Sequence, residues 1–266
     1  IPGWNFDQVH QQARELWARA LDHLTVEGGS EDHKTIFYSA LYRSLLFPQI
    51  FGDLDGNYTG GDGKVHHADN FTNRTLFSGW DEYRSKYPLL TLVEPKVVND
   101  QINSMIALAE DNGTHYFDRW EIMGCYTGMM MGNPEVVVLN DAWQKGIRGY
   151  DINKAYDYAV NTTHKDGNWK LGYRRDNISE TTEYGLDEWN LAQLAASLGK
   201  KEDAAKYLEL SMAYKKLFDP NQAWTYDAAG KDVKPEWKGW FRPKDGNGNF
   251  EPWFGLTSPK GTREAT

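Results

Sequence analysis

Apolar residues recur along most of the chain at the spacing of three and four residues that is typical of amphipathic helices. Proline favours the first turn of a helix, so two helices are expected to open at Pro95 and Pro134. Another is expected to begin with Ser179 as its N-cap and to end at Gly199. The same periodicity predicts further helices over 5–24, 34–47, 151–161 and 201–217.

The pattern as a whole predicts an all-α protein of about eight helices. Pairs of helices with elaborate loops at one end suggest an α/α toroid, in which the loops build a pocket at one mouth. No repeat of about 34 or 40 residues occurs, which disfavours helical solenoids. The predicted loops are long and rich in glycine and aspartate, and cover 52–79, 111–119, 164–178 and 219–262.

No domain boundary is visible, so the 266 residues are expected to belong to one domain of this toroidal kind. Residues 1–30 are interpreted as an entry helix and linker. The chain begins with Ile1 rather than methionine and ends at Thr266 without a stop signal for any element. We therefore expect a piece of a longer polypeptide.

Composition excludes several classes of protein. A net charge of −9 and the lack of a basic stripe argue against nucleic-acid binding. The mean hydropathy is −0.70, and no run approaches the roughly 18 apolar residues of a membrane span. Cys125 is the only cysteine, which excludes an intrachain disulfide and a cysteine-based zinc site. No metal-binding histidine spacing, nucleophile elbow, P-loop or dinucleotide fingerprint occurs.

Aromatic residues are abundant, with 11 Trp, 15 Tyr and 11 Phe. Flat rings suit both hydrophobic cores and sugar faces. Trp80, Asp81 and Arg84 lie where a long loop enters a helix. There an indole can pack on a sugar ring while a carboxylate accepts hydrogen bonds from its hydroxyls. A capped helix start with an Asp–Arg pair explains the same residues equally well.

Two more segments carry candidate chemistry. Trp120 and Glu121 form a second pair suited to stacking and hydroxyl binding. Residues 180–188 contain four carboxylates, which either include a functional group or simply favour a solvated helix start. The Asp-rich segments 53–57 and 245–249 lack the glycine and glutamate positions of an EF-hand and are interpreted as turns.

Taken together, these motifs resemble glycoside hydrolase family 92 over nearly the whole chain and in the right order. Each motif alone is weak, and their combination is specific. The segments that carry the resemblance are Ile36–Tyr42, Trp80-Asp81-x-x-Arg84, Trp120-Glu121, Asp141–Gly146 and Ser179–Tyr184.

The resemblance implies a calcium-dependent exo-α-mannosidase that inverts the anomeric centre, acts on mannose-containing glycans, and is secreted, periplasmic or on the cell surface. It also implies a β-sandwich before Ile1 and a helical (α/α)6 catalytic domain. Residues 1–266 are then a single partial (α/α)6 domain, and the remaining helices are expected after residue 266. The Gly-Asn-Glu-Pro and Gly-Asn-Asp motifs of the family are absent here. Calcium ligands and base carboxylates are therefore expected after Thr266.

Within this resemblance, the general acid is a glutamate just after the long loop that follows the last helix pair, and Glu264 falls in that place. The simpler alternative is a frayed terminal carboxylate. The expected sugar-binding residues are Trp80, Asp81, Arg84, Trp120 and Glu121. Two other functions stay open, namely a non-catalytic helical glycan-binding or scaffold module and another toroidal carbohydrate enzyme, such as a lyase or an inverting glucosidase.

Overall fold

The computed structural model describes residues 2–165, 168–223 and 238–251. Most of the regular structure in these ranges is helical, as the sequence predicts. Short 3-10 helices cover Pro2–Trp4, Asn168–Leu171 and Ala213–Leu217. The α-helices are α1 (Phe6–Leu21), α2 (Glu31–Ser44), α3 (Gly79–Glu82), α4 (Lys86–Val93), α5 (Pro95–Asp111), α6 (Pro134–Gln144), α7 (Ile152–His164), α8 (Ile178–Ser197) and α9 (Lys201–Leu210).

Helix starts follow the sequence signals closely. Both α5 and α6 begin at the proline that predicts them. The N-cap of α8 is Asn177 and not Ser179, because the Asn177 side chain accepts a hydrogen bond from the Glu180 amide at 3.0 Å. The helix expected over 201–217 is also wrong at its end, since α9 stops at Leu210 and a separate 3-10 helix follows.

The expectation of an all-α fold is corrected by four small antiparallel sheets in the described residues. Their strands have two to six residues, which is too short for an alternating pattern to stand out in the sequence. The strands are β1 (Gln49–Ile50), β2 (Asn57–Thr59), β3 (Val65–His67), β4 (Arg74–Thr75), β5 (Phe77–Ser78), β6 (Trp120–Ile122), β7 (Cys125–Tyr126), β8 (Phe218–Ala223) and β9 (Lys238–Phe241). The pairs are β1–β4, β2–β3 and β8–β9, and β6 lies between β5 and β7.

The main hydrophobic core lies between α4, α5, α6, α7, α8 and α9. Fully buried side chains from these helices interdigitate, including Leu90, Ile102, Leu139, Leu191 and Tyr207. Helix α8 packs against both α6 and α9, so it is the central element of the described structure. By contrast, α1 contributes no buried residue.

The starts of α3 and α6 lie next to one another at one end of this core, and both are close to the middle of α8. A Cβ added to Gly79, the first residue of α3, would lie 2.7 Å from both the Arg119 carbonyl oxygen and the Pro134 ring. Glycine is therefore required where α3 meets the start of α6. The amide before that helix, on Asn133, donates to the Asp187 carboxylate in α8 at 2.5 Å. This end carries most of the residues singled out by sequence.

In the part of the chain that the structure describes, no helix is both long and apolar enough to cross a membrane.

Candidate active site

The strand pair β5–β6 brings the first two candidate motifs together. Ser78 in β5 is paired with Trp120 in β6, and cross-strand partners project from the same face of a sheet. The Ser78 hydroxyl donates a hydrogen bond of 2.5 Å to the Asp81 carboxylate. Trp120 and Asp81 are thus both anchored to Ser78, although 39 residues separate them in the sequence.

Arg84 is held against two aromatic rings. Its guanidinium carbon lies 4.8 Å from the Trp80 ring centroid and 4.7 Å from that of Tyr83, within the range of cation–π attraction. Its Nε–H also donates to the Trp80 carbonyl at 3.2 Å. The side chain therefore has a defined position even though 45% of it is exposed.

A carboxylate from the third sequence motif completes this group. Glu183 lies in the second turn of α8, and its Oε1 is 3.3 Å from Arg84 Nη2. We call Trp80, Asp81, Arg84, Trp120 and Glu183 the sugar-binding patch, after the role that the sequence predicts for the first four. Its side chains are two indoles, two carboxylates and a guanidinium, a set that can stack on a sugar ring and bond its hydroxyls. Asp81 and Arg84 are exposed, and the other three are half-buried. In the described residues the patch is open to solvent on the side of Asp81.

Glu121 does not join the patch, because adjacent residues of a strand project to opposite faces. Its carboxylate is buried and accepts three hydrogen bonds, from the Thr75 hydroxyl (2.7 Å), the Leu76 amide (3.1 Å) and the Gly124 amide (2.6 Å). Burial raises the pKa of Glu121, and these three donors oppose the increase. Glu121 therefore connects the β6–β7 turn to β4 and to Leu76, the residue between β4 and β5.

Behind the patch lies a group of buried carboxylates that the sequence identified only in part. Burial raises the pKa of Asp187 well above its usual range, the Asn133 amide opposes the increase, and the charges of Glu135 and Glu183 add to it. Glu135 is fully buried in α6, and neither of its carboxylate oxygens has a hydrogen-bond partner. Burial raises the Glu135 pKa to about 7. Both groups therefore favour the protonated form inside the protein.

Sequence reasoning missed Glu135 because it stands in an apolar stretch that looks like ordinary core. Residues 136–139 are Val-Val-Val-Leu, and the first helical turn is where an acidic residue is commonly found as a partner of the helix dipole. Glu135 directly follows Pro134 and is not part of any recognisable sequence motif. Only the folded structure shows that it faces inward.

Glu264, the expected general acid, lies outside the described residues, as do Trp237 and Trp253 of the same predicted loop. The described residues contain no group of three or more His, Cys, Asp or Glu side chains arranged to hold a metal ion. They do not fit a calcium site, and no catalytic step through calcium is assigned to them.

Comparison with known proteins places the whole chain in one family. The model of the glycosyl hydrolase family 92 catalytic domain matches residues 1–266. An uncharacterized secreted glycosidase of Arthroderma benhamiae is 25% identical over 273 residues, which cover 94% of this chain and 31% of that protein.

Two solved structures from Bacteroides thetaiotaomicron are similar in fold. A family GH92 alpha-mannosidase has a TM-score of 0.83 at 29% identity, with 94% of this chain and 33% of that chain covered. A family GH92 inverting mannosidase has a TM-score of 0.82 at 29% identity, with 97% and 35% covered. The chain thus spans about a third of the length of these relatives. It belongs to glycosyl hydrolase family 92 and matches that family's catalytic domain.

Proposed function

We propose that this chain is part of an exo-α-mannosidase that hydrolyses terminal α-mannosides with inversion. The observation that carries the proposal is the match of the whole chain to the family's catalytic domain, with TM-scores of 0.82 and 0.83 to two mannosidases, one of them inverting. Because the chain spans about a third of those proteins, we assign the activity to a longer polypeptide that contains it.

In this proposal the sugar-binding patch holds the terminal mannose. Asp81 accepts hydrogen bonds from sugar hydroxyls, and its second partner, the Ser78 hydroxyl, keeps the carboxylate in place. The Trp80 and Trp120 indoles offer apolar surfaces to the ring faces. Arg84 donates to ring or hydroxyl oxygens while Glu183 fixes its orientation. The open side of the patch is closed by parts of the longer polypeptide.

Glu264 is proposed as the general acid. An inverting glycosidase needs one carboxylic acid that protonates the leaving oxygen and one carboxylate that activates water on the opposite face of the sugar. The two carboxyl groups stand roughly 6.5–9.5 Å apart to leave room for that water. We place the base carboxylate after Thr266. The general acid must stay protonated near neutral pH. Burial or a neighbouring carboxylate raises the pKa of a carboxylic acid and so keeps it protonated.

Substitution of Glu264 by glutamine in the full-length protein tests this function. An alkyl mannoside has a poor leaving group and depends on protonation, whereas an activated aryl mannoside depends on it much less. The Glu264→Gln variant is expected to lose far more activity on the alkyl substrate, with Glu209→Gln, an exposed carboxylate of α9, as the unaffected control. An equal loss on both substrates, or no loss, would move the role to Glu180, Glu183 or a residue outside the chain.

The wider organisation of the enzyme is part of the same proposal. We infer an (α/α)6 catalytic domain that continues after residue 266 and a β-sandwich that precedes it. We assign calcium ligands to residues outside the described ranges, so that a chelator lowers the activity of the full-length protein and calcium restores it. The substrates proposed are N-glycans or mannans, met in a secreted, periplasmic or cell-surface location, in keeping with the secreted relative from Arthroderma benhamiae.

A further inference from the structure

The chain contains six Asn-x-Ser/Thr triplets, the acceptor sequence for N-linked glycans. A random order of its 17 asparagines, 10 serines and 16 threonines among 266 residues gives only about two such triplets. None of the six has proline at the middle position, which would make it a poor acceptor, and five end in threonine. The excess over chance favours a role for some of these triplets. They begin at Asn57, Asn70, Asn73, Asn112, Asn161 and Asn177.

The exposure of the side chains separates these asparagines, all of which lie within the described residues. Asn73 is only 9% exposed, and its Nδ2 donates to the Phe51 carbonyl at 2.9 Å. The Asn73 carbonyl also accepts from the Phe51 amide at 2.8 Å. These two bonds extend the pairing of β1 with β4. A glycan is bulky and lies in solvent, so one on Asn73 would disrupt this small sheet.

Four other acceptor asparagines already have a place in the fold. Asn57 and Asn161 donate Nδ2 hydrogen bonds of 2.7 and 2.9 Å to neighbouring oxygens. Asn112 and Asn177 are half-buried at helix ends, the first as the C-cap of α5 and the second as the N-cap of α8. A glycan on any of the four would have to fit around these contacts.

Asn70 differs from the other five. It lies in the loop over residues 68–73, which connects β3 to β4, and its side chain is exposed. No described residue forms a hydrogen bond with that side chain. The side chain of the preceding residue, Asp69, is 81% exposed as well. The Nδ2 atom of Asn70 can therefore carry a bulky polar group at no cost in contacts.

We propose that Asn70 carries an N-linked glycan, added as the chain enters a eukaryotic secretory pathway. The donor is an oligosaccharide on a lipid diphosphate. Asn70 Nδ2 attacks the anomeric carbon of its first N-acetylglucosamine, the bond from that carbon to the diphosphate oxygen breaks, and one Nδ2 proton leaves with the lipid diphosphate. Thr72 supplies the hydroxyl that the transferring enzyme recognises. The inference rests on the location given in the proposed function and narrows it to a eukaryotic secretory route.

Mass spectrometry of the protein purified from the culture fluid of its source organism tests the site. Enzymatic release of N-glycans in water labelled with oxygen-18 converts a glycosylated asparagine into a labelled aspartate, about 3 Da heavier. Trypsin yields a peptide over 65–74 that contains both Asn70 and Asn73, and its fragment ions locate the label. The label is expected on Asn70, and Asn73 is the matched control without it. An unlabelled Asn70, or a label on Asn73 instead, would overturn the proposal.

Variants of Thr72 in the full-length protein, secreted from a eukaryotic host, give a second test. Thr72→Ala is expected to lose the mass of one glycan, and Thr72→Ser, which keeps the hydroxyl, is expected to retain it. Equal masses of the wild type and Thr72→Ala would overturn the proposal. Mannoside hydrolysis by the same preparations reports on the proposed function separately. Activity with an unlabelled Asn70 overturns the glycan alone, and a labelled Asn70 in an inactive protein supports the glycan alone.

Discussion

Arg84 and Glu183 form an ion pair of 3.3 Å although 99 residues separate them in the sequence. The contact joins the turn after α3 to the second turn of α8. It therefore connects the Trp80-Asp81-x-x-Arg84 motif with the acidic motif at residues 180–188, which the sequence presents as separate segments. Two of the three candidate segments thus belong to one surface, and the β5–β6 pairing adds Trp120 from the third.

In the proposed function, this ion pair is expected to position a substrate contact rather than to stabilise the fold. Its side chains are 45% and 22% exposed, and exposed pairs contribute about 1 kcal/mol or less. Glu183→Gln is expected to raise KM for a mannoside several-fold with a smaller change in kcat and in Tm. Steady-state kinetics of the full-length protein check this, with Glu202→Gln in α9 as the exposed control. A collapse of kcat at constant KM would instead give Glu183 a direct part in the chemistry.

Asp81 is expected to matter for turnover and not for stability. It is exposed in the first turn of α3, where a carboxylate contributes only a few tenths of a kcal/mol through the helix dipole. A lost hydrogen bond to a charged group costs about 1.5–3 kcal/mol, so Asp81→Ala should lower kcat/KM about tenfold or more.

The matched control is Asp69→Ala, which changes an aspartate whose side chain is 81% exposed, away from the patch. Parallel measurements of kcat/KM and Tm separate the two roles of Asp81. If activity and melting temperature fall together in Asp81→Ala, the residue is a helix cap and the patch does not bind the sugar.

Glu135 is expected to make the protein less stable as pH rises. Its pKa is raised from an ordinary value of 4.5 to about 7. Below pH 4.5 the carboxyl is neutral in both folded and unfolded states, and no stability is lost. Between pH 4.5 and 7 the Glu135 carboxyl is ionised in the unfolded state but still protonated in the folded state, so the free energy of unfolding falls as pH rises. The total loss is about 3 kcal/mol once pH exceeds 7.

Glutamine at this position mimics the protonated carboxyl and removes the effect. Glu135→Gln should therefore be more stable than the wild type at pH 8 and nearly equal to it at pH 4.5. Denaturant unfolding at both pH values measures the difference, with Glu15→Gln in α1 as the exposed control. A variant that loses stability equally at both pH values would show that the Glu135 carboxyl is not kept neutral by burial.

Helices were predictable from sequence because their signals are local. Pro95 and Pro134 each open a helix, and one apolar face repeats over several turns. The cap of α8 was assigned wrongly to Ser179, since Asn177 and Ser179 are both good caps and only the backbone decides between them. The short strands escaped prediction because they are made by pairing with distant segments, such as β5 with β6.

The candidate site was predictable only to the level of residue types. The sequence suggests that Trp120 and Glu121 act as one pair, but in strand β6 their side chains project to opposite faces. The Glu121 carboxylate accepts hydrogen bonds from three nearby donors instead. Strand periodicity would have separated the two residues if β6 had been recognised. The partners of Glu183 and the burial of Glu135 depend on contacts between distant helices, which local pattern does not contain.

The anomeric form of the first sugar released tests the account most directly. The full-length protein is given an α-linked mannobiose, and the product is followed by proton NMR before mutarotation equilibrates the two anomers. β-Mannose is expected as the initial product, because water attacks the face opposite the leaving group. Initial release of α-mannose, or no release of mannose from a folded protein supplied with calcium, would contradict it.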